Sequence, residues 1–270
     1  MLVQLFDSAC RLSPSIRRFL TRCLFQYLSL LDKEALMIFM NLGYARTELA
    51  EEQQVALSDG DPANRYCIQM YHHVVSSIDL NGRDVLEIGS GRGGGASYIT
   101  QYLHPKSMTG VDISEKAIAF CNRYHCVENL RFLHGDAEAL PFGDNIFDVI
   151  VNIESSHGYG HMDTFLREVF RVLRPNGYFL FADFRDRDAV DTLRKELLNS
   201  GLTMMKEECI TKHVLQALDL DNERKLKLIQ DKVPRIMHKV FLSFAAIQGS
   251  KMYEALRTGE KDYRYFILFK

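Results

Sequence analysis

VLEIGSGRGGGAS, residues 85–97, decides the fold. A short apolar run, Val85-Leu86-Glu87-Ile88, meets five glycines in seven positions (Gly89, Gly91, Gly93, Gly94 and Gly95), and residues 96–103 then have helical character. A buried strand that turns sharply into a helix has this pattern, because glycine adopts positive φ without strain and lets the backbone approach a ligand closely. The start of that helix presents free N–H groups and the positive end of its dipole, which suits an anionic group. Gly89, Gly91 and Gly94 also satisfy the G-x-G-x-x-G spacing of dinucleotide sites, which by itself is too common to identify a ligand.

The stretches that follow narrow the choice. TGVDI, residues 109–113, is a second strand ending in Asp112, placed to grip a ribose diol as in nucleotide-binding βαβ units. LRFLHGDA, residues 130–137, is a third that ends in Asp136. Residues 147–152 form a fourth strand and residues 163–173 a helix. Pro175-Asn176-Gly177 then turns the chain into a fifth strand at 178–183. Continuous apolar runs such as Val149-Ile150-Val151 mark strands of a parallel sheet buried on both faces. Ser114 is a suitable N-cap for a helix over 115–125. The alternation of strand and helix predicts an α/β, doubly wound sheet.

EIGSGRGGG, TGVDIS, GDAEALPF, FDVIVNIESSH and EVFRVLRPNGYFLFADF occur in this order at the usual spacing, and the set resembles the class I S-adenosylmethionine-dependent methyltransferases over residues 83–185. The resemblance implies a Rossmann-like seven-stranded sheet whose last two strands, 202–210 and 263–269, form an antiparallel edge. It implies S-adenosyl-L-methionine as cofactor, held by Glu87, Gly89, Ser90 and Gly91, by Asp112 and Ile113, by Asp136 and Ala137, and by Asn152. Residues 65–78 are expected to form a helix from which Tyr71 and His72 close over the cofactor or pack. The domain would span residues 63–270, behind a helical N-terminal extension at 1–62. Between the last two strands lies a long helical insertion, residues 211–259. Its Phe241, Phe244 and neighbours are expected to roof a substrate pocket or to pack as core.

Methyl transfer from a sulfonium is an in-line displacement, so the protein has to position a nucleophile and manage its proton. Ligands of open α/β sheets sit beyond the carboxyl ends of the strands, where Ile153-Glu154-Ser155-Ser156-His157 follows the fourth strand. Histidine is the side chain suited to proton transfer near neutral pH, so His157 is the candidate base; Asp183, ending the fifth strand, is the candidate that orients it. Glu154 is a candidate for holding cofactor or substrate, and His161 is a second candidate base. A histidine after strand four with an aspartate after strand five is similar to the pair in natural-product O-methyltransferases. GGGASYIT, LHPKSMTGVDI, HGDAEALPF, NIESSHGYGH and RVLRPNGYFLFADFR further resemble the phthiotriolone and phenolphthiotriolone dimycocerosate methyltransferase family. That resemblance implies O-methylation of a polyketide-derived lipid or a related apolar metabolite. Ser90 and Arg92 stand where that family has Cys and His. C-methylation of a quinone or sterol-like ring, a cofactor-binding regulator without catalysis, and an NAD-dependent oxidoreductase are the alternatives.

Composition sets the remaining bounds. A net charge of −2 offers no basic surface for nucleic acid, and 47% hydrophobic with 25% charged residues is ordinary for a soluble globular chain. The six cysteines are scattered, which argues against a disulfide framework. Cys121, His125 and Cys126 lie close together but lack a second ligand pair, so no metal is expected. No signal peptide or bilayer-spanning stretch is present, which predicts a cytoplasmic location. Residues 14–31 carry Ile16, Phe19, Leu20, Cys23, Leu24, Tyr27, Leu28 and Leu31 as an apolar stripe, beside Arg17, Arg18 and Arg22. That helix either packs on the domain or touches a membrane surface. The oligomeric state is left open.

Overall fold

The computed structural model describes residues 37–46 and 62–270 of the chain, so the helix expected over 14–31 lies outside the described residues. Helix α1 (Arg65–Val75) leads into β1 (Asp84–Ile88), followed by α2 (Gly94–Leu103), β2 (Ser107–Asp112), α3 (Glu115–Tyr124) and β3 (Leu130–His134). Then come β4 (Phe147–Ile153), α4 (Met162–Val172), β5 (Leu173–Asp186), α5 (Val190–Leu198) and β6 (Thr203–Cys209). Helices α6 (Thr211–Lys232), α7 (His238–Phe244) and α8 (Lys251–Thr258) form the insertion before β7 (Lys261–Phe269). The strands make one seven-stranded sheet in the order β3-β2-β1-β4-β5-β7-β6. Neighbours from β3 to β5 pair in parallel, and β7 runs antiparallel to both β5 and β6.

Both faces of the sheet are buried, and side-chain alternation sorts the apolar residues between them. Val85, Val149, Val151, Leu180 and Ala182 face one cluster with Ile68, Met70 and Val74 of α1 and Ile99 of α2. Leu86, Ile150, Phe179 and Phe181 face the other, against Phe165 and Val169 of α4 and Leu193 and Leu197 of α5. Helix α4 turns Phe165, Leu166, Val169 and Val172 inward at helical spacing, and each is at most 2% exposed. Truncating one of its aromatics, such as Phe165→Ala, would cost about 3–5 kcal/mol.

Charged residues tie the motifs together. Arg171 of α4 donates to the carbonyls of Leu140 (3.1 Å) and Phe142 (2.7 Å) and pairs with Glu168, whose carboxylate accepts from Leu140 N. The LPF loop is thereby fixed from α4. Arg174 bridges Asp84 of β1 and Asp148 of β4 at 3.0 and 2.7 Å.

Two expectations need correction. Residues 37–46 are not helical: they run as an irregular strap, in which Asn41 Oδ1 takes Gly43 N–H at 2.9 Å and Gly43 has φ +92°. A side chain that captures a nearby amide competes with helix formation. Pro175-Asn176-Gly177 is a bulge inside β5 rather than a turn before it. Leu173 and Tyr178 pair with Phe147 and Val149, so five steps on β5 match two on β4, and Asn176 takes φ +65°. A single turn at Arg187–Ala189 leads into α5. Among the described residues no helix is long and apolar enough to cross a membrane.

Candidate active site

β1 passes into α2 through the glycine loop. Gly89 N and Ser90 N both donate to Val111 O, at 2.8 and 3.0 Å, which fixes the loop against the end of β2. Gly89 has φ +76°, and a Cβ there would collide with Ser155 Oγ, so only glycine fits. Gly91 has φ +53°, and its Cβ would meet Met40 Cε of the strap at 2.5 Å. The underside is braced by Cys121 and by His125 at the end of the helix after β2. Cys121 Sγ donates to Gly91 O at 3.4 Å, and His125 Nε2 lies 2.8 Å from Arg92 O.

The acids expected to hold a ligand lie at the carboxyl edge of the sheet. Asp112 accepts Gly91 N–H at 2.9 Å on Oδ2 and Ser114 N–H at 2.8 Å on Oδ1, and burial raises its pKa. Each oxygen keeps a lone pair for a hydroxyl. Ile113 beside it is half-buried. Asp136 sits in the turn after β3, where its Oδ1 accepts Glu138 N–H at 3.0 Å, and Ala137 is buried. Glu138 in turn accepts Gly160 N–H at 2.8 Å, linking that turn to the loop after β4.

Glu87 lies under the loop. It is 1% exposed, accepts Tyr71 Oη–H at 2.6 Å, and burial pushes its carboxyl up to about 8. Tyr71 therefore packs down on β1, and His72 goes to Tyr98 Oη of α2 at 2.9 Å. Asn152 donates to Ile88 O and Tyr159 Oη at 2.8 and 2.9 Å, while Ser155 lies 2.7 Å from the same phenol. Sequence reasoning missed Tyr159. The signal it left is a tyrosine seven residues past an expected ligand, with only a turn between. Ser90 Oγ and Asn152 Oδ1 are buried and have no hydrogen-bond partner among the described residues. Buried polar atoms normally have partners, so two orphans beside a helix N-terminus and an accessible acid fit a ligand carrying hydroxyl, amino and carboxylate groups. S-adenosylmethionine carries all three.

Beyond β4 and β5 the loop residues converge on Asp183. His157 Nδ1 lies 2.9 Å from Asp183 Oδ1, and His157 N–H and Ser156 Oγ–H donate to Oδ2 at 2.9 and 2.6 Å. Phe184 N–H donates to Oδ1 at 2.8 Å, and Arg185 Nη1 pairs with Oδ2 at 3.1 Å. Asp183 is fully buried; against that burial, His157, Arg185 and these hydrogen bonds hold its carboxyl well below the usual range. An ionised carboxylate only accepts, so Nδ1 of a neutral His157 carries the proton and Nε2 is left as the basic nitrogen. Nε2 has no partner among the described residues. The side chain is 32% exposed and stacks on Phe184 at 4.4 Å between ring centroids. The arrangement is an oriented imidazole with one face open. His161 lies apart from this cluster: it is exposed at the N-cap of α4, its own N–H directed to Glu138.

A family model described as a methyltransferase domain matches residues 86–181. The phthiotriol/phenolphthiotriol dimycocerosates methyltransferase of Mycobacterium tuberculosis is 36% identical over 234 residues, 87% of this chain and 86% of its own length. The chain belongs to the S-adenosylmethionine-dependent methyltransferases. A fatty-acid O-methyltransferase of Mycolicibacterium smegmatis is 35% identical over 264 residues, covering 97% of this chain and 94% of its own. Among solved structures the cyclopropane synthase MmaA2 from M. tuberculosis has the same fold, with TM-score 0.68, 16% identity, and 90% and 95% of the two chains covered. The methyltransferase's cofactor is S-adenosyl-L-methionine, which supplies an electrophilic methyl group on a sulfonium. The NAD-dependent alternative is thereby set aside.

Proposed function

We propose that this methyltransferase transfers the methyl group to a hydroxyl oxygen of an apolar, lipid-like acceptor. The observation that carries this is the His157–Asp183 pair. A hydroxyl is a poor nucleophile until its proton leaves, and His157 Nε2 is positioned to take that proton while Asp183 stabilises the resulting imidazolium. A ring carbon already activated by its own substituents needs less help, so the buried and fully bonded Asp183 favours O- over C-methylation. Glu87, Gly89, Ser90, Gly91, Asp112, Ile113, Asp136, Ala137 and Asn152 are proposed to hold the cofactor, through the loop amides and the acids described above.

A cavity supports the reading of an apolar acceptor. A cavity between the strap and the insertion is lined by Met40, Leu42, Leu228, Ile229, Phe241 and Phe244, with Arg92 of the glycine loop among its walls. The insertion thus has its own apolar cluster, centred on Ile229, Phe241 and Ile247, as well as a hollow beside it. The named relatives act on dimycocerosates and on fatty acids, which agrees with an acyl or polyketide chain lying there. Each methylene buried is worth about 0.8 kcal/mol, so KM should fall roughly fourfold per added carbon until the cavity is full.

The test is incubation with methyl-labelled cofactor and a series of secondary alcohols, phenols, quinones and fatty acids of increasing chain length. The proposal expects label in an ether of the longer hydroxylated acceptors. Label on a ring carbon, or a preference for compact polar acceptors, would overturn it.

A further inference from the structure

Glu154 is not part of the base pair, yet the fold strains to place it. It follows β4 with φ +48°, a left-handed conformation that side-chain-bearing residues adopt only when their surroundings impose it. Its Oε1 accepts two hydrogen bonds, from Leu42 N at 2.7 Å and Tyr263 Oη at 2.9 Å. Tyr263 is fully buried on β7 and is a fixed post. Leu42 belongs to the strap, 112 residues earlier in the chain.

The strap covers two things at once. On one side of Leu42, Met40 lies against Gly91, and Phe39 against Gly94, at the glycine loop. On the other side, Tyr44 N donates to Tyr66 O and Ala45 N to His213 O, while the Tyr44 ring stacks on His73 at 4.1 Å. Met40 and Leu42 also line the apolar cavity. The far end of the strap is thus tied to α1 and α6, and where it crosses from the loop to the cavity its amide is held by one carboxyl group. That group stands three residues before His157.

We propose that Glu154 is a positioning residue, a latch that closes the 37–46 strap over the glycine loop and the acceptor cavity together. Closing an active site over its reactants excludes water from the transfer and fixes the distance between them. Burial pushes the Glu154 carboxyl up to about 8, so near neutrality it acts through its hydrogen bonds rather than through a full charge. The inference rests on the assignment of the loop and the cavity made above.

Hydrogen exchange of the full-length protein without cofactor tests it, read on peptides covering the strap. Glu154→Ala leaves the Leu42 donor without its acceptor, so strap exchange should quicken roughly 5- to 100-fold while peptides from β1 and β4 stay unchanged. The same variant should raise KM for S-adenosylmethionine and for the apolar acceptor, with kcat at saturation changed much less. Glu154→Gln keeps the accepting oxygen and should restore both exchange and KM. Unaltered strap exchange in Glu154→Ala would overturn the proposal. A Gln variant as impaired as the Ala variant would also overturn it, because the charge and not the latch would then be what matters. Should Glu154→Ala fail to fold, Tyr263→Phe removes the post's hydrogen bond at nearly constant volume, and strap exchange that does not quicken there would be equally contrary. Exchange without cofactor reads the latch alone, so wild-type protein that shows it yet fails to bind S-adenosylmethionine would contradict only the cofactor-site assignment.

Discussion

Asp183→Asn separates orientation from mere presence of the imidazole. Asp183 accepts from His157 Nδ1 and Phe184 N on one oxygen, and from Ser156 Oγ and His157 N on the other, where Arg185 also pairs. An asparagine has one accepting oxygen, so its NH2 group must face donors on one side. With the amide oxygen toward Nδ1, the NH2 confronts His157 N–H and loses the Arg185 pair. With the amide turned over, it faces Nδ1 and forces the proton onto Nε2, which abolishes the base. Breaking a buried charge pair from one side costs about 3–5 kcal/mol, so Tm should drop by roughly 6–20 °C for a chain of this size. Loss of the oriented base should lower kcat by roughly 10²–10⁴. Asp183 is remote from Asp112 and the glycine loop in its contacts, so calorimetric affinity for S-adenosylmethionine should change little. A variant with wild-type kcat on a hydroxylated acceptor and an unshifted Tm would refute the role given to this pair.

The other consequences are read with ordinary assays. Asp112→Ala removes the proposed diol acceptor together with the group that holds Gly91 N–H, and should weaken cofactor binding by about 1.5–3 kcal/mol by calorimetry. Phe241→Glu places a charge in the wall of the cavity and should raise KM for long-chain acceptors without altering affinity for the cofactor, provided circular dichroism shows the fold retained. Glu87 has a folded pKa of about 8, above its unfolded value of 4.5, so the folded state binds the extra proton between those limits. Its contribution to stability is complete below pH 4.5 and is lost as pH rises to about 8; Glu87→Gln should flatten that part of a Tm–pH curve. Asp183 is depressed instead, so its contribution is present at neutrality and lost only as pH falls below the usual carboxylate range.

What sequence made legible follows from which interactions are local. The glycine loop, the strand-end acids and the α4 stripe are dictated by neighbours within a few residues, and the doubly wound sheet covered on both sides followed from them. His157 and Asp183 were paired in advance because each ends or follows a strand, and adjacent parallel strands bring such ends together. The strap was illegible. Its conformation depends on Glu154 and Tyr66, which lie far along the chain, and an apolar stretch such as Met37–Leu42 is compatible with a helix until Gly43 and the Asn41 side chain are placed. The bulge in β5 escaped for a related reason: Pro-Asn-Gly marks a turn locally, and only pairing with β4 and β7 keeps it in the sheet. Cys121 and His125 had no assigned role in the sequence. Their partners are carbonyls of the glycine loop, which no local pattern announces.

The most direct test of the account compares His157→Ala with wild type on two acceptors of equal chain length, a secondary alcohol and the corresponding fatty acid. A carboxylate has already shed its proton and needs no base, whereas the alcohol does. The account predicts that the variant loses roughly 10²–10⁴ in kcat on the alcohol, loses far less on the acid, and loses the rise in alcohol methylation with pH. Equal loss on both acceptors, or wild-type turnover of the alcohol, would contradict it.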